Sequence, residues 1–93
     1  MKGIPVTSEK VAVSAAAVGL TSTSYLIGNQ ERGAVIEVLD NDIFYTLDVT
    51  TGTPTSADHI GQTGKIIETL RPSRFRAVRQ TADANLKVTY HEL

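Results

Sequence analysis

Apolar and polar residues alternate along several short segments of this chain. Residues 85–91 show the pattern most clearly, because Leu86, Val88 and Tyr90 alternate there with polar neighbours. A period of two residues places alternate side chains on one face of an extended chain. The pattern therefore predicts strands with one buried face.

Further strands are predicted where runs rich in Val, Ile, Phe, Tyr and Thr lie between Gly, Asn, Asp and Pro residues. The predicted strands cover residues 11–13, 33–39, 43–48, 65–70, 74–80 and 85–91. Residues 14–24 are rich in small side chains and fit a strand, a short helical turn or both. Residues 50–64 contain six Thr or Ser, which favours an extended loop over a buried strand.

Residues 34–39 are almost entirely apolar. They predict a central strand that is covered on both faces or packed against another chain. Asp40, Asn41 and Asp42 then supply a turn. We expect residues 43–48 to follow as the second strand of a hairpin.

The fold class follows from the number and spacing of these segments. About six to seven short strands at roughly ten-residue spacing predict an all-β fold, a small antiparallel β-sandwich or barrel. The 93 residues are sufficient for one domain, residues 1–93, in which residues 1–7 form a flexible or partner-bound N-terminal arm. A chain of this size buries only about 64% of its unfolded surface, and it has no cysteine, so we expect partner subunits to add stability.

Charge and hydropathy limit the partners. The formal net charge is −1, which does not favour nucleic acid. The longest unbroken apolar stretch is residues 15–18, too short for a signal peptide or a membrane span. We therefore expect synthesis in a cytoplasm and no membrane partner.

Candidate chemistry is sparse. Ser56, Asp58 and His59 lie within four residues, whereas the members of a catalytic triad usually come from distant segments. His91, on the polar face of the last strand, is predicted to be solvated. The Asp40–Asp42 run lacks the remaining positions of a calcium-binding loop. No catalytic residue, metal ligand or cofactor site is predicted, and no enzyme activity is expected.

The charged residues are unevenly distributed along the chain. Residues 33–64 contain five acidic and no basic side chains, whereas residues 65–87 contain six basic and two acidic ones. Cross-strand pairing on a sheet is one explanation. The alternative is that the two halves face different ways, so that Arg74 and Arg76 meet the acids of another copy or of a larger assembly.

Four segments resemble a group of small virion proteins of tailed bacteriophages. Those proteins have an aromatic strand ending in Asp, a Gly-Thr-x-Pro-Thr-Ala loop closed by Gly-His, a Phe-x-Ala-Ile-Arg strand and a terminal Leu-x-Val-Thr-Tyr strand. The matching segments here are residues 42–48, 52–59, 75–79 and 84–90, within a region of similarity that covers residues 34–92. This chain departs from the group in its longer residues 48–52 and in Asp58, which replaces the Gly before His59.

The resemblance implies an accessory protein of the phage particle, made in the host bacterial cytoplasm. We expect a non-enzymatic cement or decoration protein that binds the outer surface of the major capsid protein lattice and self-associates, with a trimer preferred over a dimer. The expected partner contacts are Lys2, Ile4, Pro5, Arg71, Arg74 and Arg76. The alternative is a tail or fibre accessory module, either a connector component or a host-glycan binder. Residues 50–64 contain no aromatic ring for stacking on a sugar, which favours cement.

Overall fold

Two four-stranded antiparallel sheets form a β-sandwich in the computed structural model of this chain, which describes residues 5–27 and 29–92. The strands are β1 Pro5–Val13, β2 Val18–Gly19, β3 Leu26–Ile27, β4 Gln30–Glu31, β5 Gly33–Val38, β6 Ile43–Thr46, β7 His59–Gly61, β8 Ile66–Thr69, β9 Arg76–Arg79 and β10 Ala84–His91. A short helix, α1, spans Ser22–Tyr25, and a 3₁₀ turn spans Pro72–Arg74.

The order of strands is β1-β10-β5-β8 in sheet A and β2-β9-β6-β7 in sheet B. This arrangement confirms the all-β prediction. It is a sandwich and not a closed barrel, because each sheet ends in edge strands that pair on one side only. The sheets contain more strands than the sequence predicted, since the two-residue β2 and the three-residue β7 are too short to show an alternating pattern.

The predicted hairpin between residues 33–39 and 43–48 is wrong. Strand β5 lies between β10 and β8 in sheet A, whereas β6 lies between β9 and β7 in sheet B. The Asp40–Asp42 segment crosses from one sheet to the other and does not reverse the chain within a sheet. The crossing places the buried faces of β5 and β6 opposite each other, where both contribute to the core.

The apolar strand β5 has only one covered face. Ala34, Ile36 and Val38 are buried in the core, while Val35 and Glu37 on the opposite face are half-buried. The prediction of cover on both faces therefore fails within this chain, although β5 is central in its sheet.

The core lies between the two sheets and follows the predicted alternation. Ile43 and Tyr45 share a buried face, as do Phe75 and Ala77. The fully buried aromatic residues are Tyr90 and Phe75. The hydroxyl of Tyr90 donates to the Glu9 carboxylate, whose other oxygen accepts from Thr21 Oγ1 at 2.8 Å. Burial, and then the neighbouring carboxylate, raise the pKa of Tyr90, so the phenol stays protonated and able to donate.

The last three residues of the predicted arm, residues 5–7, belong to β1 of sheet A. Pro5 and Thr7 pair with His91 and Tyr90 of β10, with a register shift between Pro5 and Thr7. Residues 1–4 lie outside the described residues. No helix in the described part of the chain has both the length and the apolar character needed to cross a membrane.

The carboxylate of Asp40 links the end of β5 to the start of β10. It accepts from the backbone N–H groups of Asn41 and Asn85, at 2.8 and 2.7 Å, and from Asn85 Nδ2 at 2.9 Å. The side-chain and backbone hydrogen bonds of Asn85 are the main reason that the pKa of Asp40 is lowered. A lowered folded-state pKa contributes stability that is present above the unfolded value, about 3.9, and is lost as the pH falls through the folded value.

We therefore expect the thermal midpoint to decrease as the pH drops below about 4. Asp40→Asn should make the midpoint less dependent on pH in this range. The difference between wild type and variant should be largest near neutral pH and should shrink in acid, as measured by thermal unfolding across the pH range. Asp48→Asn, at a carboxylate that accepts no hydrogen bond from the described residues, is the matched control. Parallel curves for wild type and Asp40→Asn would contradict the assignment.

Candidate binding surfaces

The directions of the strands give the sandwich two distinct ends. One end is where β1, β5 and β9 begin and where β6, β8 and β10 end. The longer excursions of the chain, residues 20–32 and 47–58, also leave the sheets there. We call this the loop end. The opposite end carries the tighter connections 39–42, 62–65 and 80–83.

Four of the predicted interface residues lie at the loop end, on different strands and turns. Pro5 begins β1, Arg71 follows β8, Arg74 lies in the 3₁₀ turn and Arg76 begins β9. Lys2 and Ile4 lie outside the described residues, directly before Pro5 in the chain. These positions are far apart in the sequence. Their common location depends on the order of the strands, so it could not be predicted from the sequence.

Arg71 belongs to a surface that we call the β8 corner, formed by Glu68, Thr69, Leu70, Arg71 and His91. Leu70 is 55% exposed, the largest exposed fraction among the large hydrophobic side chains whose burial the structure describes. Glu68, Thr69, Leu70 and His91 line a cleft of about 70 Å³. An exposed aliphatic side chain, a neighbouring Arg and a cleft of side-chain size are typical parts of a protein-binding surface.

His91 is buried, so the prediction that it is solvated is wrong. It is 5% exposed, and its ring lies against the backbone of Gly33, the residue opposite it on β5. Gly33 has no Cβ, and its position accommodates the imidazole. His91 Nδ1 lies 2.8 Å from the carbonyl oxygen of Glu92.

Arg74 and Arg76 bind loops of their own chain. Arg74 Nη1 donates to the carbonyl oxygen of Asp48 at 3.3 Å. Arg76 Nε donates to the carbonyl of Gly52 at 3.3 Å, and its Nη2 donates to the carbonyl of Ala17 at 3.4 Å. The basic half of the sequence thus holds the acidic half largely through backbone carbonyls. One pair of opposite charges also faces across neighbouring strands, since Lys87 of β10 lies opposite Glu37 of β5.

The segment that these arginines hold encloses a second cleft, which we call the loop cleft. Its volume is about 300 Å³, and its lining includes Thr46, Asp48, Thr51, Thr53, Pro54 and Asp58. Thr46 is 6% exposed, and its Oγ1 has no hydrogen-bond partner among the described residues. The composition of this segment predicts a polar loop and gives no indication of the cleft.

An apolar row crosses the outer face of sheet B. Phe44 is paired with Ile60 on one side and with Val78 on the other. Phe44 is half-buried and Ile60 is 47% exposed, while Val78 is buried without belonging to the core cluster between the sheets. Thr46 is the next residue of β6 on the same face, so the row begins beside the loop cleft.

The other candidate chemical groups have structural contacts. The Asp58 carboxylate accepts from the backbone N–H of Thr55 at 2.8 Å, and the His59 ring packs against Tyr45 with centroids 5.2 Å apart. Asp42 accepts from the backbone N–H of Thr63 at 2.9 Å. Within the described residues, no group of three or more His, Asp or Glu side chains is placed to hold a metal ion.

Comparison with family models, with curated proteins and with solved structures finds no match for this chain.

Proposed function

We propose that this chain is a non-enzymatic structural protein of a bacteriophage virion, made in the host cytoplasm and bound to the outer surface of the capsid. In this role it is a cement or decoration protein whose partner is the major capsid protein. The resemblance of residues 34–92 to small phage virion proteins suggests the class. The observation that carries the assignment of a contact surface is the β8 corner, which lies at the same end of sheet A as the start of β1.

The β8 corner offers the two kinds of contact that a protein interface combines. Leu70 is exposed and aliphatic, and such side chains contribute most when a partner removes them from water. Arg71 follows it directly and is also exposed, so it can pair with an acidic or carbonyl-rich surface. Residues 1–4, which directly precede Pro5 in the chain, lie outside the described residues.

The edges of sheet A favour self-association on the lattice. Strands β1 and β8 form its two edges. They run in opposite directions, because each of the three successive pairings from β1 to β8 is antiparallel. The β8 edge of one copy can therefore pair antiparallel with the β1 edge of the next copy. Repetition of this contact around an axis closes a ring, and a trimer at a local three-fold position is our preferred assembly.

Cement activity needs only differential binding. A protein that binds the assembled shell but not its dissociated subunits stabilises the shell by mass action. Many equivalent sites on a lattice multiply the effect of a modest contact. A rigid sandwich with one binding end meets this requirement without any catalytic group.

The experiment mixes the purified protein with capsids that lack it and measures co-sedimentation, lattice position by electron microscopy, and the melting temperature of the shell. We expect saturable binding at three-fold positions and a higher melting temperature. Leu70→Lys should weaken binding about tenfold or more, because it places a charge in an apolar contact. Leu39→Lys is the matched control, since Leu39 is 37% exposed and lies at the opposite end of the sandwich.

Equal binding by the Leu70→Lys and Leu39→Lys variants would contradict the β8 corner as the contact surface. Absence of wild-type binding to heads would contradict the cement assignment and favour the tail or fibre alternative.

A further inference from the structure

We propose that the loop cleft binds a neutral oligosaccharide, with one sugar unit in the cleft and the next one on Phe44. This inference concerns the outer face of sheet B and does not rest on capsid binding. It differs from the expectation drawn from residues 50–64 alone, in which no aromatic ring was available.

The size and lining of the loop cleft fit a sugar unit. Its volume of about 300 Å³ lies at the lower end of the range for small-molecule sites. Asp48 and Asp58 supply carboxylate oxygens that accept from sugar hydroxyls, and such charge-assisted hydrogen bonds are stronger than neutral ones. Thr51 and Thr53 supply hydroxyls that both donate and accept.

The charges around the cleft favour a neutral ligand. Two carboxylates, those of Asp48 and Asp58, line it. Two guanidinium groups lie beside it, because Arg74 and Arg76 donate to the carbonyls of Asp48 and Gly52. Opposite charges in equal number leave little net field to attract either a phosphate or a cationic side chain. A neutral ligand rich in hydroxyls can bond to the carboxylates and threonine hydroxyls that line the cleft without adding a charge.

Thr46 provides an independent indication of a missing hydrogen-bond partner. Its hydroxyl is buried in the region of the cleft and has no partner among the described residues. Such a group is destabilising unless something satisfies it. Because the hydroxyl is closed to water in the free protein, a ligand hydroxyl reaches it only when the overlying loop moves outward. The inference therefore includes a small opening of the loop on binding.

Phe44 supplies the aromatic surface that the loop lacks. It lies two residues before Thr46 on β6, about 7 Å away along the strand, and faces the same side of sheet B. Phe44 is half-buried, and its cross-strand neighbour Ile60 is exposed, so the two form a continuous apolar surface. A second sugar unit can thus pack its apolar C–H face on this row while the first occupies the cleft.

The test is an amide NMR titration of the free protein with neutral mono-, di- and tetrasaccharides of glucose, galactose and mannose, up to tens of millimolar. We expect saturable shifts confined to residues 44–60 and to the adjacent residues 74–78, and tighter binding of the longer sugars. Arginine, calcium and inorganic phosphate are titrated in parallel. No saturable shift with any sugar, or saturation of the cleft by one of these three ions instead, overturns the inference.

Variants separate binding from folding. Asp48→Asn should weaken sugar binding about tenfold, since it replaces a charged acceptor. Thr46→Val should weaken sugar binding and yet raise the thermal midpoint. Valine has nearly the shape of threonine, and the change removes an unsatisfied buried hydroxyl. A purely structural Thr46 would change only the midpoint. Val35→Ala, on the outer face of sheet A, is the control and should leave the sugar affinity unchanged.

Discussion

Phe75→Ala is expected to lower the free energy of unfolding by about 3–5 kcal/mol, the usual range for loss of a buried aromatic side chain. Phe75 is fully buried and packs against Tyr45, with ring centroids 6.0 Å apart. It also joins the 3₁₀ turn to β9, since its backbone N–H donates to the carbonyl of Pro72 at 3.1 Å. A small domain has only about 5–15 kcal/mol of stability, so this single change should remove a large part of it.

The chain contains a second phenylalanine that serves as a matched control. Phe44 is half-buried on the outer face of sheet B, away from the core cluster. We expect Phe44→Ala to lower the free energy of unfolding by no more than about 1 kcal/mol, in proportion to its smaller burial. Urea unfolding of the two variants measures both values. Equal losses would mean that the sandwich core does not lie between the sheets as described.

The inward faces of the strands could be predicted from the sequence because alternation is a local property. Leu86, Val88 and Tyr90 are all buried, as the period of two residues requires. Phe75 and Ala77 obey the same rule, although Phe75 lies just before the strand itself. Whether a strand exists and which side it buries thus depends on a few consecutive residues.

Strand pairing could not be predicted, because it depends on distant segments. An Asp-Asn-Asp run can close a hairpin or begin a crossing between sheets, and the residues themselves are the same in both cases. Here the outcome depends on where Asp40 and Asp42 find donors. Asp40 finds them in Asn85 at the start of β10, and Asp42 finds them in Thr63 before β8.

The binding surfaces show the same limit more strongly. Charge favours basic side chains as partner contacts, and for Arg71, Arg74 and Arg76 this remains a prediction. Arg74 and Arg76 bond to the carbonyls of Asp48 and Gly52, and backbone carbonyls leave no signature in a sequence. The loop cleft depends on these same bonds. Its existence could therefore be recognised only once the loop was placed over sheet B.

The burial of His91 has a similar origin, and it leads to a second large expected effect. Gly33→Ala should lower the free energy of unfolding by about 1–3 kcal/mol, the range for overpacking. A Cβ at Gly33 would lie 2.2 Å from His91 Cε1 and 2.7 Å from Nε2, closer than nonbonded atoms approach. Because the ring is buried, it must leave its place or push β5 away from β10.

A double-mutant cycle by urea unfolding identifies the cause. If the clash with the imidazole is responsible, Gly33→Ala should be neutral or slightly stabilising in a His91→Ala background, because alanine loses less backbone freedom in a strand than glycine does. The double variant should then be at least as stable as His91→Ala alone. An equal loss in both backgrounds would show that the backbone of β5, and not the His91 ring, requires glycine at position 33. The cycle therefore tests directly whether Gly33 accommodates the buried His91 ring beside the β8 corner.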